Sequence, residues 1–153
     1  MADEAALRLL RWFGSATAST KYDGSFVTEA DLEVDHFIRD AVLTRYPSHS
    51  LLTEESSQVF EGAEFTWVVD PLDGTNNFAN GLPLWGVSIA LLQHGQPLLG
   101  VLDFPTIRQR WSAVRGHGAV WNSRPLHVQP PAELHGNHFC LIDARSFRLV
   151  DFA

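Results

Sequence analysis

The stretch "WVVDPLDGTNNF", Trp67–Phe78, decides how this chain is read. An apolar, β-branched run ends in two carboxylates, Asp70 and Asp73, separated only by Pro71 and Leu72. Residues 65–69, "FTWVV", have the composition of a buried strand. Pro71 biases Asp70 to an extended backbone and predicts a bend where the strand leaves the sheet. Gly74 permits a positive φ or a close ligand approach, and Thr75 and Asn76 suit the start of a helix. The expectation is a strand, a tight turn and a helix N-terminus, with Asp70 and Asp73 turned into one space.

Outward from that turn, helical and strand patterns separate along the chain. Residues 2–13, "ADEAALRLLRWF", read as a short amphipathic helix. Residues 14–25, "GSATASTKYDGS", are small and polar and read as a mobile loop. Thr28 fits an N-cap for a second helix, in which Val34, Phe37, Ile38, Ala41 and Val42 recur at helical spacing until Pro47 stops it. "HSLLTEE" (49–55) is a short apolar run ending in Glu54 and Glu55. After the turn, "VSIALL" and "PLLGVLDF" flank Gln93-His94-Gly95-Gln96, "RWSAV" and "AVW" flank residues 115–118, and a last pair surrounds "NSRPLHV". Helices followed by hairpins predict an α+β fold with helices packed on one face of a largely antiparallel sheet. Residues 1–129 read as one domain, and 130–153 as a linker and the start of a further segment.

Composition narrows the function. The chain has 153 residues, 45% hydrophobic and 19% charged, which suits one soluble domain with a sizeable core. Its net charge of −7, from 18 acids against 11 Lys and Arg, argues against a nucleic-acid footprint. Cys140 is the single cysteine, so no intrachain disulfide can form and a reducing compartment is expected. With no signal-peptide pattern and only strand-length apolar runs, the reading is cytoplasmic, with no membrane partner.

Two carboxylates held together repel one another unless a proton or a cation lies between them. Oxygen donors of this kind suit Mg²⁺, which the Leu72 carbonyl is placed to join. N–H groups at Gly74 and Thr75 would meet an anion. Metal and phosphate are therefore a joint expectation. The competing reading is a surface turn whose acids cap backbone donors. An EF-hand loop is excluded, because acids at alternate positions and a closing glutamate are missing. The D-x-D-G-T pattern of aspartyl-phosphate phosphatases is excluded too, since two residues separate these acids. Asp31, three residues after Thr28, fits a capping box. Glu54–Glu55 taken alone fits a solvated strand end. Lys21 and Asp23 are open between a functional loop and solvated charge. His135, His138 and Cys140 lack a fourth ligand at a zinc spacing.

Taken together, "DGSFVTEAD", "LLTEE", "WVVDPLDGTNNF" and "GVSIALL" resemble the inositol monophosphatase family, in order and spacing, from Leu7 to about Gln129. The resemblance implies the N-terminal half of a layered αβαβα fold and a Mg²⁺-dependent, Li⁺-sensitive phosphatase of small phosphomonoesters. It implies two or three Mg²⁺ ions per complete site. Glu54, Asp70 and the Leu72 carbonyl match ligands of the first metal, and Asp70 and Asp73 match ligands shared with the second. Thr75 and Asp31 match the pair that orients the attacking water, assisted by Glu54. Glu55 matches a neighbouring supporting acid, and the backbone at Gly74 and Thr75 matches the phosphate cradle. Asn76-Asn77-Phe78 is most similar to the inositol phosphate variety; histidinol phosphate, fructose 1,6-bisphosphate and 3′-phosphoadenosine 5′-phosphate are the alternative substrates. The family's W-D-x-A-A-G motif has no counterpart here, so the expectation is a truncated chain with little activity alone. A homodimer is implied for the complete enzyme. The rival class is a non-catalytic module that binds Mg²⁺ and phosphate.

Overall fold

A computed structural model describes residues 1–22, 24, 26–55 and 62–127. Asp23, His135, His138, Cys140 and the whole 130–153 segment lie outside the described residues. Two helices, α1 (Ala2–Trp12) and α2 (Glu29–Arg45), cover one face of a seven-stranded sheet. The strands are β3 (Ser50–Thr53), β4 (Phe65–Asp73), β5 (Gly86–Gln93), β6 (Gln96–Phe104), β7 (Gln109–Val114), β8 (Gly118–Trp121) and β9 (Arg124–Leu126), hydrogen-bonded in chain order. Among the described residues only β3 and β4 run parallel, and every other pair in this sheet is antiparallel. The α+β expectation therefore holds, in a mixed, mostly antiparallel form.

Local chemistry accounts for the connections. His94 and Gly95, between β5 and β6, both have positive φ (49° and 75°), the backbone that a two-residue hairpin requires. Asn122 and Ser123 repeat this between β8 and β9, at 45° and 66°. Helix α2 ends at Arg45, two residues before Pro47, which cannot donate a helical hydrogen bond.

Alternation along β5 assigns its two faces. Val87, Ile89 and Leu91 are buried against Leu9, Val34, Ile38 and Val42 of the helices, while Ser88 and Ala90 point to the other face and are half-buried. Arg110 bonds both Asp103 (2.6 Å) and Asp3 (2.7 Å), tying the first turn of α1 to β6 and β7. Close to the Asp70 turn the core becomes aromatic: Phe13, Phe78 and Trp85 have ring centroids 4.9–5.6 Å apart.

Two sequence expectations are corrected. Residues 14–25 are not a loop throughout, because β1 (Ala18–Thr20) pairs antiparallel with β2 (Phe26–Thr28). A three-residue strand of small side chains, Ala18-Ser19-Thr20, carries no alternation that sequence could show. Nor does β4 leave the sheet at Asp70. Pairing with β5 resumes at Asp73 opposite Gly86, after a register shift that begins at Asp70 opposite Ser88. Pro71 and Leu72 form the irregular stretch, and both are buried. A bulge of this kind tolerates proline and re-aims the side chains around it.

Candidate metal and phosphate site

Three separated segments meet at the end of β4. Helix α2 delivers Asp31, the end of β3 delivers Glu54 and Glu55, and the β4 bulge delivers Asp70 and Asp73. Asp31 holds its position through a capping box: its Oδ2 accepts from the Thr28 amide (2.8 Å) and the Thr28 hydroxyl (2.5 Å). Its Oδ1 accepts from the Thr75 hydroxyl at 3.0 Å, across 44 residues of sequence. The two readings of Asp31 are thus not alternatives, since one carboxylate caps a helix and touches Thr75. The same hydroxyl also lies 3.0 Å from the Leu72 carbonyl.

The turn after the bulge is fixed by close approach. Gly74 has φ 87°, and a Cβ there would lie 2.9 Å from the Leu84 carbonyl oxygen and 3.3 Å from the Trp85 Cα. Only glycine fits, on grounds of both φ and space. Helix α3 (Thr75–Ala79) starts at once, as expected. Asn77 braces the arrangement by donating to the Leu84 carbonyl at 2.7 Å. That brace is invisible in the sequence, because nothing local relates Asn77 to Leu84.

The electrostatics are those of crowded acids. Burial, then Glu54 and Asp73, push the Asp70 carboxyl up to about 7, and a hydrogen bond with Glu54 adds to the rise. Crowding of this kind is relieved either by a proton on Asp70 or by a cation. Burial also raises Asp31, against the opposing hydrogen bonds from Thr28. Glu55 is raised by burial too, although Lys21 opposes it from 2.6 Å. Lys21 Nζ lies 3.6 Å from Glu54, so this loop lysine belongs to the acid cluster rather than to solvent. Among the described residues no three His, Cys, Asp or Glu side chains converge into a finished metal cage. What stands here is a carboxyl pair, Glu54 and Asp70, with Asp73 exposed beside it. All-oxygen donors under mutual repulsion fit a hard divalent cation.

A bulged strand, a glycine turn and a cluster of acids thus stand together on a helix-backed sheet. Similarity to known proteins carries this further. The model of the inositol monophosphatase family matches residues 2–148, and the chain belongs to that family, whose members are metal-dependent phosphomonoesterases. It is 38% identical over 135 residues to a histidinol-phosphatase of Chlorobaculum parvum, covering 87% of this chain and 52% of that protein. An inositol-1-monophosphatase of Synechocystis is 40% identical over 112 residues, covering 72% and 39%. The solved IMPase of Thermotoga maritima superposes with a TM-score of 0.78 at 31% identity, over 86% of this chain and 52% of that one. The chain spans about half the length, or less, of the curated relatives it matches. Among the described residues, no helix is long and apolar enough to cross a membrane.

Proposed function

We propose that this chain carries the metal-binding half of a Mg²⁺-dependent phosphomonoesterase acting on a small phosphorylated alcohol such as inositol 1-phosphate. The observation that carries the reading is the Thr75–Asp31 hydrogen bond beside the Glu54–Asp70 carboxyl pair. Glu54, Asp70, Asp73 and the Leu72 carbonyl would hold the ions. Bound Mg²⁺ supplies charge neutralisation at the phosphate and makes a bound water more acidic. Thr75, donating to Asp31, keeps its oxygen lone pairs free to accept from a water on its open side. That water gives up a proton along the Thr75–Asp31 pair while its oxygen attacks phosphorus and the bond to the alcohol oxygen breaks. The leaving alkoxide takes a proton from a second water, phosphate remains, and the proton held by Asp31 returns to solvent. The high proton affinity of buried Asp31 suits this role. Backbone N–H groups at Gly74 and Thr75 would receive the phosphate.

Asn76-Asn77-Phe78 supports an inositol phosphate, whereas similarity to a histidinol-phosphatase supports histidinol phosphate. Homodimerisation of a complete enzyme belongs to the same proposal. Because the chain spans about half of its relatives, we expect Mg²⁺ binding but little turnover from it alone. Calorimetry with Mg²⁺ and with inorganic phosphate, alongside turnover of both substrates, tests this. Heat from Mg²⁺ that vanishes in Asp70→Asn supports the site, and its absence in the unsubstituted chain overturns it. Binding without any hydrolysis also fits the second reading, a non-catalytic Mg²⁺ and phosphate module. Near-normal turnover would refute the dependence on a further half.

A further inference from the structure

Beneath the Gly74 turn, backbone lies directly against backbone. A Cβ at Gly74 would meet the Leu84 carbonyl oxygen at 2.9 Å, the Trp85 Cα at 3.3 Å and the Trp85 Cβ at 3.4 Å. The floor of the turn is therefore the Leu84–Trp85 peptide, and its height is set by where Trp85 is held. The Trp85 ring is fully buried, and Phe13 and Phe78 close on it with centroids at 5.3 and 4.9 Å. Phe78 belongs to α3, and its amide donates to the Gly74 carbonyl at 3.0 Å. Turn, helix and floor thus form a closed circuit: Gly74 rests on Trp85, Trp85 packs on Phe78, and Phe78 bonds back to Gly74. Phe13 joins this circuit from a distant segment. It directly follows α1, its amide donates to the Leu9 carbonyl at 3.0 Å, and the far end of α1 is held by the Asp3–Arg110 ion pair. Among the described residues the Trp85 indole N–H has no acceptor, so this position uses the shape of the ring and not its polar edge.

We infer that Phe13 and Trp85 are positioning residues for the phosphate-receiving turn, acting through Gly74 without touching a reacting group. The inference rests on the phosphate role proposed above for Gly74 and Thr75. The Thr75 hydroxyl lies 3.0 Å from both the Asp31 carboxylate and the Leu72 carbonyl. A shift of the turn by about 0.5 Å away from these acceptors brings both contacts to the limit of hydrogen bonding. Misplacement by about 1 Å in a reacting site costs roughly 100-fold in rate. Removing the Phe13 ring lets Trp85 tilt into the space left behind. The Gly74 turn follows, because no side chain lies between the two backbones to absorb the change. Glu54 and Asp70 are held instead by the pairing of β3, β4 and β5. The anion side of the site should therefore respond more than the cation side.

Amide exchange and calorimetry on the 153-residue chain test this in Phe13→Ala, Trp85→Leu and Trp85→Phe. In Phe13→Ala and Trp85→Leu the Phe78 amide should exchange faster by about tenfold over any change in the β6 amides, which report general loss of stability. Affinity for inorganic phosphate at saturating Mg²⁺ should fall by about tenfold in the same two variants, while Mg²⁺ affinity changes by less than about threefold. Trp85→Phe keeps a ring against Phe13 and Phe78 and loses no hydrogen bond, so both readouts should stay within about twofold of the unsubstituted chain. If either of the first two variants does not fold by circular dichroism, Phe13→Leu, at a half-buried position, takes its place with the same expectations. Exchange at Phe78 that rises no more than in β6 overturns the inference. So does unchanged phosphate affinity in a chain that binds phosphate, or Mg²⁺ affinity that falls in step with it. Trp85→Phe as impaired as Trp85→Leu overturns it as well. If the unsubstituted chain binds no phosphate, a selective rise at Phe78 supports Phe13 and Trp85 as the seat of the turn and overturns the phosphate reading instead.

Discussion

Strand β5 has two faces made from the same eight residues, and they behave differently. Val87, Ile89 and Leu91 are closed under two helices, while Ser88 and Ala90 look onto an open groove that ends at Glu54 and Asp70. The closed face stabilises the fold. The open face borders the Glu54–Asp70 pair, where smaller side chains leave room beside the acids. The packed core and the groove beside the acids are therefore separated by the two-residue period of one strand.

The largest effects should come from the closed face. Ile89→Ala removes a side chain that is only 3% exposed and should cost about 2–5 kcal/mol in a urea titration. A loss below about 1 kcal/mol would mean that the helices do not pack on β5 as described. Gly74→Ala lies at the join of the two regions. Its new Cβ would press on the Leu84 carbonyl in a backbone that disfavours any side chain, at a cost of about 1–3 kcal/mol. If Mg²⁺ affinity survives that change while phosphate affinity drops, the turn serves the anion rather than the cation.

Much of this division was legible in the sequence. Helix α2, with its Thr28 cap and Pro47 stop, and the hairpin at His94-Gly95 follow from local rules that the tertiary structure did not override. Asp70 and Asp73 announced themselves because no core requires two acids at the end of an apolar run, whereas Glu54 stood out only through the resemblance to the family. What stayed hidden was long-range or irregular. The parallel pairing of β3 with β4 leaves no mark on either strand's composition. The bulge at Pro71–Leu72 was hidden because a proline ordinarily reads as the end of a strand. The Lys21–Glu55 contact spans 34 residues, and Asn77 meets Leu84 only because the loop folds back on Gly74.

Capping should give the next effect in size. Thr28→Ala removes the hydroxyl bonded to Asp31 and should cost about 1 kcal/mol. The same loss in an Asp31→Asn background would show that the two groups do not act as a unit.

The acid cluster adds a pH dependence whose sign is fixed. Asp70 is raised, by burial and then by Glu54 and Asp73, from 3.8 to about 7. Between these values the folded chain keeps a proton that the unfolded chain has lost. The stability from this group is therefore fully present below about pH 4 and is lost as pH rises through about 7. Solvent screening reduces its size, because Asp70 is only half-buried. Melting temperatures of the metal-free chain should fall from about pH 5 to about pH 8 more steeply than those of Asp70→Asn. Parallel profiles would show that Asp70 is not held in the crowded state. The smallest effect belongs to the open face, where Ala113→Glu should change the stability of the single chain by no more than about 0.5 kcal/mol.

Asp31 spends one oxygen on the Thr28 amide and the other on Thr75. The first turn of α2 and the site are thereby read by a single carboxylate. The Thr28 amide proton is a built-in reporter: its chemical shift should move whenever Asp31 gains a proton or is drawn toward Thr75. Occupancy of the site could then be followed by NMR from a backbone position that touches neither ion nor phosphate.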